Sequence, residues 1–459
     1  MNQRFDYIIR EYTPLLRQKG IDELYCYELF LTLLFWLYIS DQADQGNSNW
    51  AFLDQEHRID KSVTKSPAIV LKQHVEKSIA VIETKKNIQQ LCLNKEIIQN
   101  LDAELLKTIC HKLYTTFSFN WVWSKSNIAN LFSTLELYFS STINAPHRIF
   151  TPREVVNLLT NSLPQQKKGS LYDPFCRDNS LLLSYAGTEG SDFNITANVD
   201  NEFSYRLSRI KALMLGAPDI DIAVRDIISS HPDRKFDFIL TNPPFGELPR
   251  HEMKYIPSGY WASSFCDISS EIDILCHSLD HLSKTGRAAI IVPAGFLSHR
   301  GKVAFLREKL VINGILEAVI ALPAKLFYGT RVATAILILN NNANYEQVLL
   351  LNAAELGSRQ SARHRLSDDD VSLLVAVLQE YRQGKKLDRK EWKDIHAIKN
   401  IEELEKKQFD LQFSTYESNS INHPPKRQPA RQVWEEILGL RKELYKCQKK
   451  IDQLFKTLK

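Results

Sequence analysis

Phe236-Asp237-Phe238-Ile239-Leu240-Thr241-Asn242-Pro243-Pro244-Phe245 is the stretch that decides the fold. Phe236–Leu240 is a short apolar run, and its length fits a buried strand. Asn242-Pro243-Pro244-Phe245 then breaks the strand with two prolines, which lack the N–H a ladder needs. The Asn242 side-chain oxygen and the Pro243 carbonyl can each accept a hydrogen bond from an amino group. The prolines stiffen the turn, so the acceptors are fixed before a ligand arrives. Phe245 offers a flat face to a planar base or amide. A plainer reading is a strand-end turn with a buried phenylalanine.

Working outward, the segment from about 146 to 345 alternates short apolar runs with helical patterns. Strands are predicted at 170–172, 195–199, 236–240, 288–292, 315–321 and 333–339, and helices at 152–161, 204–215 and 272–282. Alternation of this kind implies a mostly parallel, doubly wound α/β sheet. Ligands of such sheets lie beyond the carboxyl ends of the strands, where Asn242 falls.

Residues 1–145 read as an all-α domain, with apolar spacings of three and four such as Leu131, Leu135 and Tyr138. Leu24–Ile39 is very apolar but carries Glu28, and at about 16 residues is short of the roughly 20 that span a bilayer. It is predicted to be a buried helix rather than a membrane segment. Asp41–Asn49 is polar and reads as a loop, and 64–67 as a turn or helix start. Residues 346–425 give no clear pattern, and 418–429 look like a linker.

From Val433 the chain carries an a/d seam: Val433, Ile437, Leu440, Leu444, Cys447, Ile451, Leu454 and Leu458. The part from Pro424 onward holds ten Lys/Arg against four Asp/Glu, or +6. A coiled-coil helix at 426–459 is predicted, seeking a partner helix or the amino-terminal helices.

The 459-residue chain has a net charge of only +4, so any nucleic-acid surface must be local. Its seven cysteines form no Cys-x-x-Cys pair, which argues against a zinc site or a disulfide framework and for a reducing cytosol. No Gly-x-x-x-x-Gly-Lys-Ser/Thr loop suggests ATP hydrolysis, no metal-ligand spacing appears, and no signal peptide is evident.

Several motifs stand in order. Phe150-Thr151-Pro152-Arg153-Glu154 opens a helix, with Pro152 where a helix tolerates it. Asp173-Pro174-Phe175-Cys176 ends a strand. Thr241–Gly246 is the turn above. Val292-Pro293, Leu322-Pro323 and Leu326-Phe327-Tyr328-Gly329-Thr330 follow, then Phe409-Asp410-Leu411 with Tyr416. Together they resemble the methylation subunit of type I restriction-modification systems, a family of N6-adenine DNA methyltransferases.

The resemblance implies a Rossmann-like methyltransferase domain over 146–425 behind the helical domain. It implies S-adenosyl-L-methionine as methyl donor and double-stranded DNA as substrate, with adenine flipped out of the duplex. It assigns the catalytic turn to Asn242, Pro243, Pro244 and Phe245. It assigns the cofactor site to Phe150, Thr151, Pro152, Asp173, Pro174, Cys176, Asp200 and Asp226. It implies a specificity subunit docked on the tail, room for a restriction (nuclease) subunit, and a cytoplasmic setting without membrane contact.

The chain departs from the family pattern in one loop. Asp-Pro-x-Cys is normally followed by Gly-x-Gly-Gly, and here by Arg177-Asp178-Asn179-Ser180. The glycines allow positive φ and close approach of the cofactor. Asn179 tolerates a left-handed conformation; Arg177 does not do so cheaply, and its side chain can fill the methionine end of the site. The acid expected to hold the ribose falls in register on Val199, with Asp200 one residue late and Glu202 three. The alternative is therefore a catalytically degenerate scaffold that keeps the fold for DNA binding or assembly in a defence complex. Asn-Pro-Pro-aromatic turns also serve methylation of protein glutamine and of RNA guanine.

Outside the family motifs, His147 and Arg148 read as solvated loop charges. Phe117, Phe119, Trp121 and Trp123 read as a buried strand or helix edge. His299-Arg300-Gly301-Lys302 forms a basic loop on the ligand-bearing edge of the sheet, able to meet a DNA backbone.

Overall fold

Asp22 caps the most apolar helix of the chain, its carboxylate accepting the Leu24 N–H at 2.8 Å. A computed structural model describes residues 2–60, 64–86, 91, 98, 100–117, 121–143, 150–187, 191–217, 219–224, 234–244, 259–265, 269–360 and 363–416. The helical segment comprises α1 (Asn2–Gln18), α2 (Glu23–Asp44), α3 (Ala68–Lys86), α4 (Ala103–Phe117) and α5 (Lys125–Phe139). Because α2 is apolar on every side, it can be stable only when surrounded, and it packs against α1, α4 and α5.

Helix α2 runs to Asp44, 22 residues in all, longer than the sequence pattern indicated. The polar residues predicted as a loop from Asp41 instead finish the helix, where Gln45 donates to the Asp41 carboxylate at 2.6 Å. The helix is long and apolar enough to cross a membrane, yet it forms the centre of the helical core. Glu28 is buried within it, and Arg206 answers its charge at 2.5 Å. Burial raises the Glu28 pKa while Arg206 pulls it down.

The remainder of the described chain builds the sheet and its covering helices. In order these are α6 (Arg153–Ser162), β1 (Lys168–Asp173), α7 (Ser180–Ala186), β2 (Asp192–Val199), α8 (Glu202–Met214), β3 (Asp221–Val224), β4 (Phe236–Thr241), α9 (Tyr260–Phe265), α10 (Ser270–His281) and β5 (Leu282–Pro293). There follow α11 (Lys302–Ile312), β6 (Leu316–Ala321), β7 (Thr334–Asn340), β8 (Gln347–Asn352), β9 (Ser358–Gln360), β10 (Arg363–Arg365), α12 (Asp368–Arg382), β11 (His396–Asn400) and α13 (Ile401–Lys406). Nine strands lie in the order β11-β8-β6-β7-β5-β4-β1-β2-β3. Strands β3, β2, β1, β4 and β5 run parallel. Strand β7 enters antiparallel between β5 and β6.

All six predicted strands are present, as are the three predicted helices of this region. The order reverses between β1 and β4, so the loops after these two strands meet in one crevice. Strands β3, β8 and β11 of this sheet were not predicted, nor was the separate antiparallel pair β9 and β10. Strand β3 is only four residues long. Strand β11 is polar and half-exposed at the sheet edge, a pattern without an apolar signature. Trp121 and Trp123 belong to no strand or helix; they lie in a loop, packed edge to face at 5.9 Å beside Phe117.

Two apolar cores can be traced among the described residues. One lies among the helices, the other under α6, α7 and α12 on the sheet. Phe150 and one face of α8, including Phe203, Leu207 and Ile210, join the helical core. Met1–Thr415 forms one compact unit and Tyr416–Lys459 a second. The predicted coiled-coil helix at 426–459 and the linker at 418–429 lie outside the described residues.

Candidate active site at the carboxyl edge of the sheet

Strand β4 ends at Thr241 because Pro243 and Pro244 have no N–H to continue the ladder. A residue before proline is confined to extended backbone, and this turns Asn242 off the strand end. Its side chain is 1% exposed. Asn242 Nδ2 donates to Thr151 Oγ1 at 3.0 Å, and the Asn242 main-chain carbonyl accepts from Arg177 Nε at 3.1 Å. Asn242 Oδ1 is buried and has no hydrogen-bond partner among the described residues. A buried acceptor left unmade costs about 1–3 kcal/mol. The arrangement therefore holds open one fixed acceptor for a donor carried by a ligand.

Three sequence motifs converge on this residue: Phe150–Pro152, the loop after β1, and the turn after β4. Pro152 caps α6, which leaves Thr151 just outside the first turn and facing Asn242. Phe150 is buried against Tyr27 of α2, ring centroids 5.4 Å apart, so it anchors the motif to the helical core. Arg363 of β10 forms an ion pair with Glu154 and lies 4.7 Å over the Tyr328 ring. The Leu326–Thr330 motif is thereby tied to the same helix.

Asp173 is the last residue of β1, buried, and its carboxylate accepts the Phe175 N–H at 3.0 Å. Burial pushes this carboxyl up to about 7, against the opposing pull of the Phe175 amide and the Arg177 charge. Pro174 is also buried. The Cys176 N–H donates to the Asn198 carbonyl at 2.7 Å, closing the loop onto the end of β2. The Cys176 thiol sits 3.8 Å from Ser208 Oγ in the sheet core, and burial pushes it well above the usual thiol range.

The altered loop adopts a definite shape. Asn179 alone within it has positive φ, +62°. It reproduces what a glycine would do there, as its tolerance of the left-handed region predicts. Arg177 is not in that region and carries no such strain. Its side chain is buried and reaches the Asn242 carbonyl.

Asp178 is held by Lys211, which is only 3% exposed and lies 2.7 Å from Asp178 and 2.6 Å from Glu136 of α5. Burial pulls the Lys211 ammonium down, but the two carboxylates outweigh it and hold its pKa above the usual value. Burial likewise raises Glu136. The pattern did not single out Lys211. Its signal is a lysine inside the apolar run Ile210-Lys211-Ala212-Leu213-Met214.

Val199 is fully buried as the last residue of β2. Asp200 is the first residue past the strand end and is exposed, its carboxylate accepting from Asn201 Nδ2 at 2.7 Å. Glu202 starts α8. Asp226 and Phe245 lie outside the described residues, as do Phe119, His147 and Arg148. His299 and Arg300 are exposed in the loop before α11, and Lys302, also exposed, is the first residue of that helix. Buried Arg307 donates to the carbonyls of Phe296 and His299 and, at 2.9 Å, to that of Phe409. The Phe409–Leu411 segment is thus fastened beside that loop.

A cavity of about 800 Å³ borders this cluster at Thr151, Ser180 and Lys211 and runs between α5, α7 and the end of α8 toward Asp219. Most of it lies along helices, away from the strand ends.

Comparison with known proteins matches this architecture. The chain is 23% identical over 319 residues to the type I restriction enzyme MjaVII methylase subunit of Methanocaldococcus jannaschii, covering 63% of this chain and 52% of that one. It is 25% identical over 244 residues to the HindI methylase subunit of Haemophilus influenzae, covering 50% and 54%. The chain thus spans about half the length of these curated relatives. Its fold is similar to the type I restriction-modification methyltransferase subunit of Streptococcus thermophilus, with a TM-score of 0.65 and 16% identity over 90% of this chain and 98% of that one. A modification subunit of a type I restriction enzyme from Vibrio vulnificus gives 0.63 and 16%, over 88% and 93%. The profile of the N-6 DNA methylase family matches residues 134–423, more than half of the sequence, and the chain belongs to that family.

Proposed function

We propose that this chain is the DNA adenine methyltransferase (modification) subunit of a type I-like restriction-modification system. The observation that carries the reading is the buried, unanswered Asn242 Oδ1, fixed from one side by Thr151 and from the other by Arg177. An exocyclic amine is the donor that fits it.

S-adenosyl-L-methionine is the methyl donor in this reading; when bound it supplies an electrophilic methyl group on a sulfonium. The residues present fit such a ligand. Asn179 keeps buried polar atoms without partners among the described residues, and Asp200 stands exposed at the β2 end. Asp173, the backbone of Pro174–Cys176, Thr151 and Asp200 would hold it, together with Asp226. Phe150 and Pro152 shape the segment that carries Thr151.

The work of the chain is positioning. Asn242 Oδ1 and the Pro243 carbonyl accept the two amine hydrogens and turn the nitrogen lone pair toward the methyl group. Phe245 stacks on the flipped adenine. The proton leaves after attack, so no strong base is needed, and fixed dipoles supply most of the rate.

The helical segment and the exposed His299–Lys302 loop would contact the duplex, the basic side chains meeting phosphates. The 426–459 seam would dock a specificity subunit, with a nuclease subunit joining the complex in the cytoplasm. One observation favours a second reading. Arg177 fills space that the family leaves to glycine, which suits a degenerate scaffold that no longer takes the cofactor.

Transfer of labelled methyl from S-adenosylmethionine decides between these. The purified chain with its specificity subunit should label duplex DNA, and not RNA or protein, and Asn242→Ala should abolish the label. Label in protein or RNA alone would move the chain to another substrate. No label and no cofactor binding would leave the scaffold.

A further inference from the structure

Asn179 carries a second unanswered carboxamide. It is 1% exposed, and neither its Oδ1 nor its Nδ2 has a hydrogen-bond partner among the described residues. Its backbone is at φ +62°, ψ +9°, the left-handed conformation for which the family keeps a glycine. Conformation alone would be served better by glycine, which enters that region without a steric penalty. A buried amide with both ends unmade is a destabilising choice unless something else answers it.

The neighbours of Asn179 do not compete for it. Asp178 is committed to Lys211 and accepts from Ser180 Oγ at 2.6 Å. Arg177 ties the same loop to the Asn242 carbonyl, so Asn179 stands in the loop that borders the catalytic turn. A carboxamide offers one acceptor oxygen and two donor hydrogens on one rigid plane. An α-amino acid zwitterion offers the reverse, ammonium donors beside a carboxylate acceptor.

We propose that Asn179 is a cofactor-binding residue that recognises the amino-acid end of the S-adenosyl ligand. Its Oδ1 accepts from the ammonium and its Nδ2 donates to the carboxylate. The inference rests on the methyltransferase reading above. It assigns this chain a side-chain contact where the family glycine has none.

The test is calorimetric titration of the full chain with two ligands. S-adenosylhomocysteine has the amino-acid end; 5′-methylthioadenosine keeps the adenosine and thioether but lacks it. Asn179→Gly preserves the positive φ and so should fold as the parent does. It should weaken S-adenosylhomocysteine about ten-fold or more, the effect of losing hydrogen bonds to charged groups, and leave 5′-methylthioadenosine unchanged. Asn179→Ala, checked for an unchanged circular dichroism spectrum, should show the same selective loss. Equal weakening of both ligands, or of neither, would overturn the role of Asn179 while leaving the cofactor site standing. Failure of the parent chain to bind either ligand would remove the methyltransferase reading itself, and this inference with it.

Discussion

Arg177 and Asn242 are joined by one buried hydrogen bond, Nε to main-chain oxygen at 3.1 Å, which links the loop after β1 to the turn after β4. These loops flank the point where the strand order reverses. Arg177 thus acts as a side-chain strap between the two loops. Replacing Arg177 by Ala should lower stability by about 1.5–3 kcal/mol, the range for a hydrogen bond from a charged donor. Chemical denaturation at fixed salt measures it; a change below 0.5 kcal/mol would mean the strap is incidental.

Lys211 sits between Asp178 and Glu136 and connects the loop after β1 to helix α5. Removing its charge strands two carboxylates in a poorly hydrated place. Lys211→Met should destabilise by roughly 3–5 kcal/mol, as when one partner of a buried pair is removed. Adding Asp178→Asn and Glu136→Gln should recover a good part of the loss. If the triple variant is no more stable than the single one, the charge account fails.

Asp173 gives a pH dependence with a definite sign. Burial raises its folded-state pKa to about 7, above the unfolded value near 3.9. The folded chain then holds more protons than the unfolded one between these values. The contribution of Asp173 to stability is fully present below about pH 4 and is lost as pH rises through about 7. Thermal unfolding of the parent should show that decline between about pH 4 and 7. Asp173→Asn, which can still accept the Phe175 N–H, should show a flatter profile. Parallel profiles would place the carboxyl's titration elsewhere.

Much of this arrangement is legible in the sequence, for physical reasons. Strands β4, β6 and β7 and the second half of β5 are buried on both faces and so read as apolar runs, whereas β1 shows buried residues only from Leu171 to its end. The Asn242 turn is legible because two prolines leave the chain few conformations. Asn179 is legible as the one loop residue able to take positive φ, and the structure has it there. Other parts depend on contacts that no local pattern encodes. Strand β11 is a polar strand at the sheet edge, paired with β8. Lys211, Arg206 and Arg363 are defined by partners 33 to 209 residues away. The end of α2 was misplaced because polar side chains in a last helical turn resemble a loop.

Asn242→Ala should separate catalysis from binding. It removes the amine acceptor but touches neither Asp173 nor Asn179. Methyl transfer should fall by about 10²–10³, the scale for loss of one preorganised polar contact at a reacting centre, with S-adenosylhomocysteine affinity within two-fold of the parent. A parallel loss of affinity would show that Asn242 serves the cofactor more than the acceptor amine.

The most direct test of the central claim is a map of N6-methyladenine in a host free of adenine methylation that expresses this chain with its specificity subunit. The account predicts methylated adenine at one recurrent sequence, absent with Asn242→Ala. Unmodified adenine throughout the genome, with the folded complex present and S-adenosylmethionine bound, would contradict it.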